Sequence, residues 1–140
     1  MSAAGKGGPP TASGDRLRYD RMVETALRGV IRAALDDVAE HGLPGAHHFY
    51  ITFRTLADGV DIPEYLRAEY PDVMTIVVQH QFWGLATDDD GFEITLSFRK
   101  VHERLRVPWP AVAAFADPAV NFALQFEGAA EDMAAVGKPT

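Results

Sequence analysis

The chain has 140 residues, 47% of them hydrophobic and 24% charged, and a formal net charge of −7, which suits one globular domain with a real core. No apolar run approaches the ~20 residues of a membrane span, no apolar N-terminal segment marks a signal peptide, and the lack of Cys rules out disulfides, thiolate catalysis and cysteine metal sites. The acidic excess falls beyond residue 42, so the domain repels phosphate backbones; nucleic acid and membrane are not expected partners, and the cytoplasm is the expected compartment.

Residues 1–16 begin "MSAAGKGGPPTASG", which cannot bury apolar surface and is expected to be a flexible tail. A single domain is expected over 17–127. From Leu17 to His41 apolar residues recur every three or four positions, among them Met22, Val23, Leu27, Val30, Ile31, Ala34, Leu35 and Val38. That spacing predicts a long helix, with Asp15 or Asp20 as its cap and Gly42 as its stop. Its stripe is wide enough for two readings: a helix facing both its own sheet and a second subunit, or one lying deep in its own domain.

The period then changes to two. Phe49, Ile51 and Phe53 alternate with Tyr50, Thr52 and Arg54, predicting a strand. Asp58-Gly59 reads as a turn, and Pro63 starts a short helix, "PEYLRAEY". Residues 73–78, "VMTIVV", predict a buried strand and 82–87 another. "DDDG", 88–91, is a hairpin signal. Phe92, Ile94, Leu96 and Phe98 then alternate with Glu93, Thr95, Ser97 and Arg99, with a turn expected near Val101 to Glu103 before Leu105 and Val107. "PAVAAFAD", 110–117, reads as a short helix begun by proline. Val120, Phe122, Leu124 and Phe126 give a last strand, and 128–140 is expected to fray. The sum is a mainly β protein: a small antiparallel meander, an open barrel or sandwich, with a long N-terminal helix.

Motifs for catalysis are missing. There is no Gly-rich phosphate loop, no G-x-S-x-G and no H-E-x-x-H. His47 and His48 are neighbours, which on a strand point to opposite faces, so no metal site is expected. Asp88 to Asp90 lacks the EF-hand spacing and closing Glu. Trp83 and Trp109 read as core or lid aromatics. An enzyme is not expected, and no cofactor is implied.

What stands out is "TIVVQHQFWGL", residues 75–85, where Gln79, His80 and Gln81 interrupt an apolar line. Two explanations fit. In one, a bulge bends the strand and turns these side chains to water. In the other, the bend leaves main-chain groups open and glutamine amides beside them, as a binder of extended peptide requires. Phe82 and Phe98 would then supply an apolar floor. Arg99, on the open face with Thr95 and Ser97 and within a basic cluster of Arg99, Lys100, Arg104 and Arg106, would grip a carboxylate. The rival reading is a small-ligand barrel or minor enzyme with His80 and Trp83 lining a cavity.

The long helix, "GVDIPEYL", "TIVVQHQFWGL", "GFEITLSFRK", "RLRVPWPAVAAFADP" and "NFALQFE" follow one another in an order that resembles the stringent starvation protein B (SspB) family, over about residues 17–127. The resemblance implies an SH3-like or Sm-like β-barrel with an N-terminal helix that mediates a homodimer. It implies a protease adaptor without catalysis of its own, which binds the ssrA degradation tag and presents tagged polypeptides to the ClpX unfoldase of ClpXP. On this footing Val78, Gln79, His80, Gln81, Phe82, Thr95, Ser97, Phe98 and Arg99 are the expected peptide-binding residues. Met22, Val23, Leu27, Val30, Ile31 and Ala34 are the expected dimer interface. Family members carry a C-terminal basic and apolar motif that docks on the N-terminal domain of ClpX; here "EDMAAVGKPT" has one Lys and no such motif, so that tether is expected to be absent, truncated or different.

Overall fold

A computed structural model of the chain describes residues 16–126. Apart from Arg16, the tails expected over 1–16 and 128–140 lie outside the described residues. Helix α1 spans Tyr19–His41, strand β1 Phe49–Arg54, helix α2 Glu64–Glu69, β2 Val73–Val78, β3 Trp83–Thr87, β4 Gly91–Phe98, β5 Val101–Pro108, β6 Val112–Asp117 and β7 Phe122–Gln125. The strands form two antiparallel sheets, one ordered β2-β1-β6-β7 and the other β3-β4-β5.

The expected class, mainly β with a long N-terminal helix, is what the chain adopts. The sheets do not close into one barrel. The three-stranded sheet is a meander. In the four-stranded sheet β1 pairs with both its neighbour β2 and the distant β6, so that sheet is not assembled from sequential hairpins alone.

Alternation explains the core. In β1 and β2 the pairs Phe49↔Val78, Ile51↔Ile76 and Phe53↔Met74 face inward, and all six residues are buried. From the other sheet Phe92, Ile94, Leu105 and Val107, each with no exposed surface, fill the same interior. Helix α1 adds Ile31, Leu35 and Val38, one stripe at spacings of four and three. Burying each such side chain contributes about 1.5–3 kcal/mol. The helix is held by polar contacts as well: Arg28 donates to the Val112 carbonyl at 3.0 Å, and Arg32 pairs with Asp89 at 3.0 Å.

Four local expectations are corrected. First, "PAVAAFAD" is no helix: residues 109–111 make a single 3₁₀ turn and 112–117 are β6. A bulge sets both Val112 and Ala113 against Phe53. The inward residues Val112 and Phe115 therefore stand three apart, which mimics a helical spacing.

Second, the β4–β5 turn is Arg99-Lys100, flanked by the pair Phe98↔Val101, and not residues 101–103. Both turn residues have positive φ, 54° and 71°, the geometry of a type I′ hairpin. Arg-Lys lacks the Asn-Gly signature that would announce it. Third, the helix starts at Tyr19 without a side-chain cap, and Asp20 sits in its first turn, paired with Arg18 at 2.7 Å; Asp15 lies outside the described residues. Fourth, the last strand begins at Phe122, after a 3₁₀ turn that holds Val120.

Candidate functional site

Strand β2 is an edge of one sheet and β3 an edge of the other, and residues 79–82 carry the chain between them. Gln79, His80 and Gln81 are exposed and Phe82 is half-buried against the core. Outside the strand ladders, none of these four makes a main-chain hydrogen bond to another described residue. The segment is thus an exposed, polar crossing between two sheet edges. Val78, just before it, has its side chain wholly in the core, so it can offer a guest only its backbone.

Beyond the loop the chain bends again. Trp83 pairs with Thr95 and Ala86 with Glu93, so β3 holds one residue more than β4 over this stretch, a bulge. Gly84 sits there at φ 61°, and a Cβ on it would come within 2.9 Å of the Arg104 guanidinium. Glycine meets both demands. The bulge aims Trp83 outward: it is 41% exposed and stacks on His102 at 4.2 Å between ring centroids.

Trp83 is therefore no core or lid aromatic. Trp109 is closer to that expectation, packed on Phe92 and the core while its indole N–H donates to the Asp88 carbonyl at 3.0 Å. Nor do His80 and Trp83 line a common internal cavity. His80 belongs to a surface pocket that Trp83 does not reach, and core side chains fill the interior.

The outward face of β4 and β5 carries Thr95 and Ser97 opposite Arg104 and His102. Arg104 donates to the Thr95 hydroxyl at 3.2 Å and pairs with Glu93 at 3.1 Å. Phe98 packs half-buried against the core. Arg99 is elsewhere. As the first turn residue it leaves the strand face, pairs with Glu69 of α2, and lies 5.7 Å from the centre of the Tyr65 ring. The basic cluster read from the sequence is likewise divided, because Arg106 pairs with Asp88 at 3.0 Å. The cation beside Thr95 on the open face is Arg104.

The Asp88–Gly91 hairpin has its polar groups closely partnered. One Asp88 oxygen accepts from the backbone N–H groups of Asp90 and Gly91 and from Arg106. The Arg106 guanidinium above all, with those two N–H groups, lowers the Asp88 carboxyl to about 2.

On α1, Met22, Val23 and Val30 are 51%, 56% and 44% exposed. Leu27 and Ala34 are half-buried against the core. Ile31 has no exposed surface and is removed from the expected interface, since its own domain covers it. The exposed Ala26 and Ala33 extend the outward stripe instead. No described helix is long and apolar enough to cross a membrane. Among the described residues no group of three or more His, Asp or Glu is placed to hold a metal ion.

The family model described as SspB, stringent starvation protein B, matches residues 21–139. No curated protein matches the chain.

Proposed function

The chain belongs to the stringent starvation protein B family, and from that premise we propose that it is a non-enzymatic, cytoplasmic adaptor. In this reading it binds the ssrA degradation tag as an extended peptide and delivers tagged polypeptides to the ClpX unfoldase of ClpXP. The observation that carries the reading is the crossing at residues 79–82: Gln79, His80 and Gln81 are exposed, and outside the ladders none of the four makes a main-chain hydrogen bond to another described residue. An extended guest supplies those partners, with the Gln79 and Gln81 amides able to donate and accept beside it. Phe82 gives an apolar footing, and Thr95 and Ser97 offer hydroxyls on the neighbouring face. Arg99 joins only by exchanging Glu69 for an acid of the guest, so its contribution is small.

The exposed stripe Met22, Val23, Ala26 and Val30 pairs with its copy across a two-fold axis in the same reading. Two bound tags per dimer, and any tether to ClpX, then act through effective concentration: linked weak contacts hold a substrate near the unfoldase without strengthening either contact.

Fluorescence anisotropy with a labelled tag peptide tests the proposal. Saturable binding is expected at micromolar protein or below, about −8 kcal/mol. No saturation up to about a millimolar would overturn it.

A further inference from the structure

The ladder between β1 and β2 ends at the pair Phe49↔Val78. The chain before Phe49 and the chain after Val78 flank an open surface pocket of about 210 Å3, lined by Ala46, His47, His48, Gln79 and His80. Three imidazoles and one amide thus meet at the β2 end of the crossing described above. The pocket is smaller than the ~300–1,000 Å3 of a small-molecule site, so it suits one side chain.

Its polarity has a definite sign. The His47 ring is fixed by its Nδ1, which donates to a carboxylate oxygen of Asp117 at 2.7 Å. The other oxygen of Asp117 accepts from the Ala119 N–H at 3.2 Å, and Asp117 is only 7% exposed. Asp117 is therefore occupied and turned inward. His48 bonds the Ala46 carbonyl through Nδ1 at 3.3 Å and meets the Tyr50 ring edge-on at 5.2 Å. No Asp or Glu lines the pocket. On a protein of net charge −7, this is a place whose lining holds no carboxylate and where an acidic group meets the Gln79 amide and imidazoles that donate from both nitrogens when protonated.

We infer that the pocket is a subsite for an acidic side chain of the bound peptide, gripped by His48 and His80. The inference rests on the peptide-binding reading and adds to it a preference and a pH dependence. The groups that face the subsite are His47 and His48 ahead of β1, Tyr50 on β1, Gln79 and His80 after β2, and Asp117 on β6 behind His47. Imidazole ordinarily titrates near 6.5, whereas Asp and Glu carboxyls stay ionised down to about 4. A grip of imidazole on a carboxylate is therefore expected to tighten as pH is lowered from about 8 to about 5.5. Affinity for an acidic peptide rises over that window, and affinity for its amide counterpart does not.

The test uses two labelled peptides, the tag and the same peptide with its Asp and Glu replaced by Asn and Gln. Each is titrated with the full chain at about pH 5.5 and pH 8. The acidic peptide is expected to bind about tenfold more tightly at the lower pH, as for a hydrogen bond that becomes charged, while the amide peptide changes little. In the double variant His48→Gln, His80→Gln the acidic peptide loses this pH dependence, so that the two peptides respond alike to the change of pH. Equal responses of the two peptides in the unaltered protein would overturn the subsite while leaving peptide binding in place, as would a pH dependence that persists in the double variant. If neither peptide saturates at either pH, the peptide-binding reading itself fails and takes the subsite with it.

Discussion

Two corners of this domain look alike in sequence and differ in what they do with their polar groups. Gln79-His80-Gln81 joins β2 to β3, and Asp88-Asp89-Asp90 joins β3 to β4. At the second corner the fold supplies the partners: Arg106, two backbone N–H groups and the Trp109 indole close on Asp88. At the first the side chains are exposed, and the main chain bonds to nothing else described outside the ladders. A polar run between apolar strands is thus not one kind of object. The closed corner satisfies its polar groups within the domain; the open one leaves hydrogen-bonding capacity unused by the described fold, which in the proposed reading serves a guest.

The comparison predicts that mutations at the closed corner cost stability and mutations at the open corner cost binding. The largest effect belongs to Gly91→Ala. A Cβ there would lie 2.3 Å from the Val107 carbonyl oxygen and 2.6 Å from the Pro108 Cα. Neither is the end of a flexible side chain, so a loss of about 3 kcal/mol or more is expected in a urea titration. A loss under about 0.5 kcal/mol would show that the hairpin yields easily.

Trp109→Phe keeps the ring against Phe92 and removes the donor to Asp88. About 1 kcal/mol is the expected cost in the same titration. A change of similar size and opposite sign is expected at the β4–β5 turn. Lys100 has φ 71°, a conformation that costs a side-chain-bearing residue roughly 1 kcal/mol and glycine little. Lys100→Gly should therefore raise the midpoint of thermal unfolding.

The closed corner also has a pH signature. The Asp88 carboxyl is lowered from its ordinary value to about 2, first by Arg106. A depressed carboxyl contributes stability that is present above the unfolded value, near 3.9, and is lost as pH falls through the folded one. Asp88→Asn should accordingly narrow its gap from the unaltered protein on acidification from about pH 4 to about pH 2. A constant gap over that range would mean that Arg106 does not hold the carboxylate. Smallest in stability is the change at the open corner. Gln79→Ala and Gln81→Ala should shift unfolding by no more than about 0.5 kcal/mol, as for exposed side chains without internal partners, while weakening the tag peptide severalfold in anisotropy.

Much of this was legible. Strands β1 and β2 stand where the alternation and the apolar run put them, and α1 ends before Gly42 as its stop signal predicts. The exposed crossing at 79–81 was visible as a break in an apolar line. Other features were hidden for physical reasons. Strand β6 keeps a period of two over residues 113–117, but alanines on both faces hide it, and the bulge at Val112–Ala113 adds a helix-like spacing of three. The Arg99-Lys100 turn uses residues that rarely take positive φ, so Arg99 was placed on a strand face it does not occupy. The pairings of Arg99 with Glu69, Arg104 with Glu93 and Arg106 with Asp88 depend on contacts between separate segments, and no local pattern records these. One signal was there to be used: Gly84 inside a strand marks a bulge, and it would have pointed to an outward Trp83.

The central claim is that the corner at 79–82 is open because a peptide closes it. Amide hydrogen exchange on the full chain, with and without saturating tag peptide, tests this most directly. The account predicts slowed exchange at residues 79–83 and along the adjoining end of β2, with residues 88–91 unchanged. Protection confined to α1 or to the Asp88–Gly91 hairpin, with 79–83 exchanging as before, would contradict it.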